Sequence, residues 1–136
     1  MTPHQAGGAS QAIEDAYILG EILNRVFTAC AGTAPSAPLL EQAFKVYEQV
    51  RLPLANSVLM KSRDNGRMHC LSYPGCRPED LFEMDEDGSL RLGAGKVEGM
   101  EKILGAQVSW AWTTTIEDDR DQAMRLLDEV LASHMH

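Results

Sequence analysis

The sequence predicts a mainly α-helical chain, and three observations carry that prediction. Apolar residues recur at spacings of three and four through residues 12–27, 39–50, 97–112 and 124–131. Proline and glycine gather between those stretches, where they stop one element and open the next. Thr115 followed by Asp118, with acids at 117 to 119, marks the start of one more helix by capping and by its dipole.

The first helix is expected from about Gly8 to Cys30, with Ala12, Ile13, Ala16, Leu19, Gly20, Leu23, Val26 and Phe27 on its apolar face. Ile18 and Ile22 widen that face, so this helix is expected to be embraced on several sides. Ala31 and Gly32, then Thr33 to Pro38, end it in a loop. A second helix opens near Pro38 and carries Leu39, Leu40, Ala43, Phe44, Tyr47 and Val50 until Pro53 breaks it. A further helix with Leu54, Val58, Leu59 and Met68 follows, and Lys61, Arg63, Asp64, Asn65 and Arg67 form its polar face.

Residues 72–95 hold Pro74, Gly75, Pro78, Gly88, Gly93, Gly95 and the acidic run 83–87, which predicts a long surface excursion with at most a short helix near Pro78 to Met84. Helical spacing resumes from Val97 through Trp112, although the alternation of Val108, Trp110 and Trp112 also allows a short strand. Met124, Leu127, Val130 and Leu131 make the last amphipathic helix.

At 136 residues the chain has the length of one domain, and a compact domain of that size buries roughly 68–70% of its unfolded surface. Its 44% apolar and 24% charged residues match a folded domain rather than a disordered segment. A net charge of −8 argues against nucleic acid as a partner, because that affinity rests on neutralising phosphates. No apolar run is long enough to span a membrane, and residues 1–30 have no charged and apolar leader pattern, so a cytoplasmic protein is expected. Cys30, Cys70 and Cys76 are expected to be reduced thiols, and no metal site is assigned.

Several stretches imitate chemistry. Gly93 to Gly99 resembles a phosphate loop, but its glycine spacing fits no template and no apolar strand is expected to run into it. Asp85-Glu86-Asp87-Gly88 suggests a calcium loop, yet aligning Gly88 with the invariant glycine puts Ala94 where a bidentate Glu is needed. Trp110 and Trp112 are expected to pack in a core or interface. His4 has no nucleophile or carboxylate near it in sequence, so no catalytic residue is assigned. Glu14 and Asp15, in the second turn of the first helix, are expected to complement its dipole or bind neighbouring backbone groups.

The segment from Pro3 to Ala16, with the glycine pair Gly7-Gly8, resembles the flavin-contacting segment of FAD-dependent aromatic hydroxylases, the group A flavoprotein monooxygenases of the salicylate hydroxylase type. Tyr47-Glu48-Gln49-Val50-Arg51-Leu52-Pro53 with Asn56, and Ser62 to Gly66, extend the resemblance; Trp110, Trp112 and Asp118 are more loosely similar to the family's C-terminal end. The resemblance implies that the chain is the C-terminal helical portion of an α/β FAD-binding monooxygenase fold. Residues 1–71 would give the flavin-contacting loop, long helix and following helices, 72–95 an acidic Gly/Pro-rich loop, and 96–136 a C-terminal helical segment.

It further implies FAD as cofactor, with Gly7, Gly8, Ala9 and Ser10 offering backbone contacts, Pro3 lining the reacting face and Asp15 bracing the loop. The parent would hydroxylate an aromatic acid or phenol with NAD(P)H and O2. The family usually has glycine where this chain has Ala6, and a position needing positive φ would resist that exchange. The family's nucleotide-binding strand, glycine fingerprint and Gly-Asp motif have no counterpart here, so the chain alone is expected to be inactive. The other reading is a non-enzymatic helical remnant that binds a partner or itself through an exposed apolar face.

Overall fold

The computed structural model describes residues 3–93 and 95–134. A 3-10 turn, Pro3–Gln5, precedes α1 (Gly8–Ala29), and α2 (Ala37–His69), α3 (Pro78–Leu81), β1 (Phe82–Met84) and β2 (Leu90–Leu92) follow. Then come α4 (Lys96–Val108), a second 3-10 turn (Ser109–Trp112) and α5 (Ile116–His134). The chain is mainly helical, as its periodicity predicts. It divides into two compact units: the first takes in Met1–Ala6 and Val58–Thr113, the second Gly7–Ser57 and Thr114–His136.

The second unit is built on a three-helix core. Ile18, Ile22 and Val26 of α1 meet Leu39, Ala43, Val46 and Val50 of α2 and Ala123, Leu127 and Leu131 of α5, and all of these are buried. Steps of three and four keep each set on one stripe of its helix, which removes those side chains from water at about 25 cal/mol per Å² of apolar surface. Thr115 Oγ1 accepts the Asp118 N–H at 3.4 Å and donates to the Asp118 carboxylate at 3.0 Å, so α5 begins where the capping pattern predicts.

The face of α1 that enters the core differs from the expected one. Gln11, Ile18, Ile22 and Val26 are buried, whereas Ile13 is 71% and Phe27 53% exposed, and Ala9, Ala12, Ala16 and Gly20 also face solvent. This helix is apolar on two opposite sides, and its periodicity does not say which side the chain itself covers.

Nor does Pro53 break the second helix. α2 runs through it as one helix of 33 residues. Pro53 has no N–H to give the Gln49 carbonyl, a local loss. Val50 before it and Val58 after it are both buried on α2, and that anchorage outweighs one missing bond. α2 ends in a Schellman arrangement, with Ser72 N–H on the Arg67 carbonyl at 2.8 Å and Leu71 N–H on Met68 at 2.9 Å.

In the first unit, the expected surface excursion contains a β-hairpin. α3 leads into β1, which pairs antiparallel with β2 in the register Phe82↔Leu92, Glu83↔Arg91 and Met84↔Leu90. The acidic run ends β1 with Glu83 and Met84 and enters the turn, residues 85–89, with Asp85, Glu86 and Asp87. Asp87 accepts from the Ser89 hydroxyl at 2.6 Å and the Ser89 N–H at 2.9 Å, which holds its carboxyl below the usual range, and Gly88 takes φ +84°. A strand therefore does run into Gly93, against expectation, but Lys96 Nζ lies 3.7 Å from Glu83 Oε1 and so leans on a carboxylate. Ser109–Trp112 is helical, which decides against a strand there.

Candidate functional site

The second unit's α1 begins on the second glycine of the pair Gly7-Gly8. Gly7 is its N-cap residue and provides no side-chain cap, so the first-turn N–H groups of Gly8, Ala9 and Ser10 have neither an intrahelical acceptor nor a capping oxygen. The first intrahelical bond runs from Gln11 N–H to the Gly7 carbonyl at 3.0 Å, and Ser10 Oγ donates to that same carbonyl at 3.0 Å. Gly8, Ala9 and Ser10 are exposed, and a Cβ added at Gly8 would meet nothing within 4 Å. Free donors, small residues and the positive end of the helix dipole coincide there, an arrangement suited to an electron-rich group.

The preceding joint is strained. Ala6 has φ +51°, the left-handed conformation in which a Cβ crowds the backbone. The doubt attached to alanine at this position is therefore real in the structure: the geometry asks for glycine and the chain keeps it with alanine.

One turn further along α1 lies an ionic cluster that sequence reasoning missed. Arg51 of α2 is 1% exposed. Its Nε donates to Asp15 at 2.7 Å, its Nη2 to Glu14 at 3.0 Å and to Gln11 Oε1 at 3.3 Å, and its Nη1 to Asp119 of α5. Gln11 Nε2 in turn donates to Glu14 at 3.0 Å. Burial opposes the charge on Arg51, but the hydrogen bonds to Asp15, Glu14 and Asp119 prevail and raise its pKa. Glu14 and Asp15 are thus partners of an arginine on another helix and not merely complements of the α1 dipole. The only sequence trace was Arg51 itself, a charged residue one position beyond an apolar stripe.

The first unit contains Pro3, in the 3-10 turn. That turn is held by neutral groups. Asn65 Nδ2 donates to the His4 carbonyl, Gln5 Nε2 to the Gln107 carbonyl at 3.3 Å, and the Trp110 indole N–H to Gln5 Oε1 at 3.2 Å. Gly66 of α2 admits the His4 ring: a Cβ there would stand 2.5 Å from His4 Cδ2. Asn65, expected on a polar face, is buried because it serves this turn. Trp110 is buried as expected and Trp112 is 72% exposed. His4 faces His69, ring centroids 6.2 Å apart.

Elsewhere the described residues offer less. A cavity of about 220 Å³ is lined by Met68, His69, Leu71, Met100 and Leu104, and a shallow surface of about 640 Å³ by α5 residues alone. Cys76 is fully buried, which pushes its thiol up, while Cys70 is exposed. Among the described residues, no group of three or more His, Cys, Asp or Glu side chains is placed to hold a metal, and no helix is long and apolar enough to cross a membrane.

Comparison with known proteins finds relatives by sequence. The chain is 34% identical over 123 residues to salicylate hydroxylase of Pseudomonas putida, a match covering 90% of this chain and 23% of that protein. It is 25% identical over 130 residues to 6-methylsalicylate 1-monooxygenase atA of Aspergillus terreus, covering 96% of the chain and 24% of the relative. To the FAD-dependent monooxygenase str9 of Strobilurus tenacellus it is 28% identical over 118 residues, 87% of the chain and 20% of the relative. No family model and no solved structure matches. The chain spans less than a quarter of the length of these relatives. Over most of its length this mainly helical chain is similar in sequence to part of FAD-dependent monooxygenases, salicylate hydroxylase among them.

Proposed function

We propose that this chain is the C-terminal, flavin-facing part of an FAD-dependent monooxygenase that hydroxylates an aromatic acid or phenol with NAD(P)H and O2. The observation that carries the reading is the start of α1: three first-turn N–H groups, at Gly8, Ala9 and Ser10, without a capping side chain, in a chain similar to such enzymes over nine-tenths of its length. The residues fit the cofactor. Backbone donors at Gly8, Ala9 and Ser10, with open space around Gly8 for close approach, suit the carbonyl edge of an isoalloxazine.

When bound, FAD supplies the redox and oxygen chemistry. The chain's own contribution is binding and electrostatics. The helix start adds about half a unit of positive charge where reduced flavin is negative, and it does so without reorganisation. Pro3 lines the reacting face in this reading and Asp15 braces the loop. Residues 1–71 provide the flavin-contacting loop and helices, 72–95 a surface excursion and 96–136 a closing helical segment. None of these residues donates or accepts a proton in the reaction, and the chain alone is expected to show no turnover.

A second reading is supported by the bare side of α1. Ile13, Phe27 and Tyr17 are 71%, 53% and 42% exposed along it, and a non-enzymatic remnant would use that face to bind itself or a partner.

One experiment separates the two: FAD titration of the purified chain by flavin absorbance and fluorescence, with oligomeric state read by light scattering. Saturable binding with a shifted flavin spectrum supports the flavin-facing reading. A stable dimer that leaves the FAD spectrum unchanged supports the remnant.

A further inference from the structure

Arg51 grips α1 only through residues 11, 14 and 15, the turn immediately after Gly7 to Ser10, and its remaining arm reaches α5 at Asp119. We propose that Arg51 is a positioning residue: by clamping Glu14 and Asp15 to Asp119 it sets the direction in which the first turn of α1 points. The proposal rests on the reading that this turn meets the flavin.

The argument is one of lever and grip. From Asp15 back to Gly8 a helix spans roughly 10 Å, so a tilt of about 10° at the clamp moves the first turn by about 2 Å. Hydrogen bonds to a flat ring edge tolerate far less than that. A guanidinium offers five N–H groups in one plane, and here four partners take them in fixed directions: Asp15 on Nε, Glu14 and Gln11 on Nη2, Asp119 on Nη1. Lysine would keep the charge but has no plane, so it would hold the helices together without fixing their angle. The core below, at Ile18 and Leu127, fixes how closely α1 and α5 pack but carries no directional bond.

The test uses the 136-residue chain, ¹⁵N-labelled, as wild type, Arg51→Lys and Asp119→Asn. Amide shifts of Gly8, Ala9 and Ser10, exchange of the Gln11 amide, thermal midpoint and FAD titration are measured on each. In both variants the core amides of Ile18, Ile22 and Leu127 should stay in place while those of Gly8 to Ser10 move. Gln11 should exchange about tenfold faster, and wherever wild type binds FAD the variants should bind about tenfold more weakly.

Unmoved first-turn amides with a lowered thermal midpoint would overturn the proposal and leave Arg51 a plain strut. Should Arg51→Lys fail to fold, Asp119→Asn decides alone, since it leaves all of Arg51's bonds to α1. A wild type that does not hold FAD by itself accords with a chain that lacks the nucleotide-binding strand and glycine fingerprint, and the amide shifts then judge the clamp.

Discussion

In the second unit the start of α1 is fastened by a buried guanidinium among three carboxylates, whereas in the first unit the Pro3–Gln5 turn is fastened by two amides, an indole and backbone carbonyls. The charged clamp joins three helices through one side chain. The neutral latch spreads its bonds over Asn65, Gln107 and Trp110. The difference is one of failure: removing the cation strands several charges together, while removing one member of the latch leaves the other bonds intact.

The largest expected effect follows from that asymmetry. Arg51→Met should lower stability by about 2–3 kcal/mol, somewhat under the usual figure for orphaning a buried charge because the carboxylates remain a quarter to a third exposed. Urea denaturation followed by circular dichroism measures it, and a loss below that of the latch variant would break the comparison. Asn65→Ala removes the donor to the His4 carbonyl and should cost about 1–2 kcal/mol by the same measurement.

Ala6→Gly changes the sign. It relieves a φ of +51° and should stabilise the chain by about 1 kcal/mol, read as a raised urea midpoint.

The smallest effect concerns the thiols. Cys70 should react with iodoacetamide at pH 8 at least about tenfold faster than buried Cys76. Burial raises the Cys76 pKa in the folded state, so the folded thiol keeps its proton after the unfolded one has lost it. Its contribution to stability is complete below the unfolded thiol pKa and declines as pH rises above about 8.5. Comparing urea midpoints at pH 7.5 and 9.5, Cys76→Ser should show a smaller decline than wild type.

What the sequence disclosed follows from the range of the forces involved. Helix periods, the loop after Cys30 and the Thr115 cap are local, and they were legible. The hairpin was not, because strands of three residues are too short for alternation to register against Leu90-Arg91-Leu92 in an acidic, glycine-rich stretch. Pro53 misled because a local rule met burial on both sides of it. On α1, two apolar faces share one period, so the spacing could not choose between Ile18 and Ile13.

At the site, Gly7 to Ser10 were legible as small residues at the start of a helix. Asp15 was seen without its partner, since Arg51 stands 36 residues away and Asp119 a further 68 beyond Arg51. Only folding brings such charges together.

The joint at Ala6 has a consequence at the level of the gene. Every alanine codon becomes a glycine codon through one change, at its second base. The strained step at residue 6 therefore lies a single nucleotide from relief in any gene encoding this chain. In a library of random variants sorted for folded yield, glycine at that position should be among the replacements that return most often.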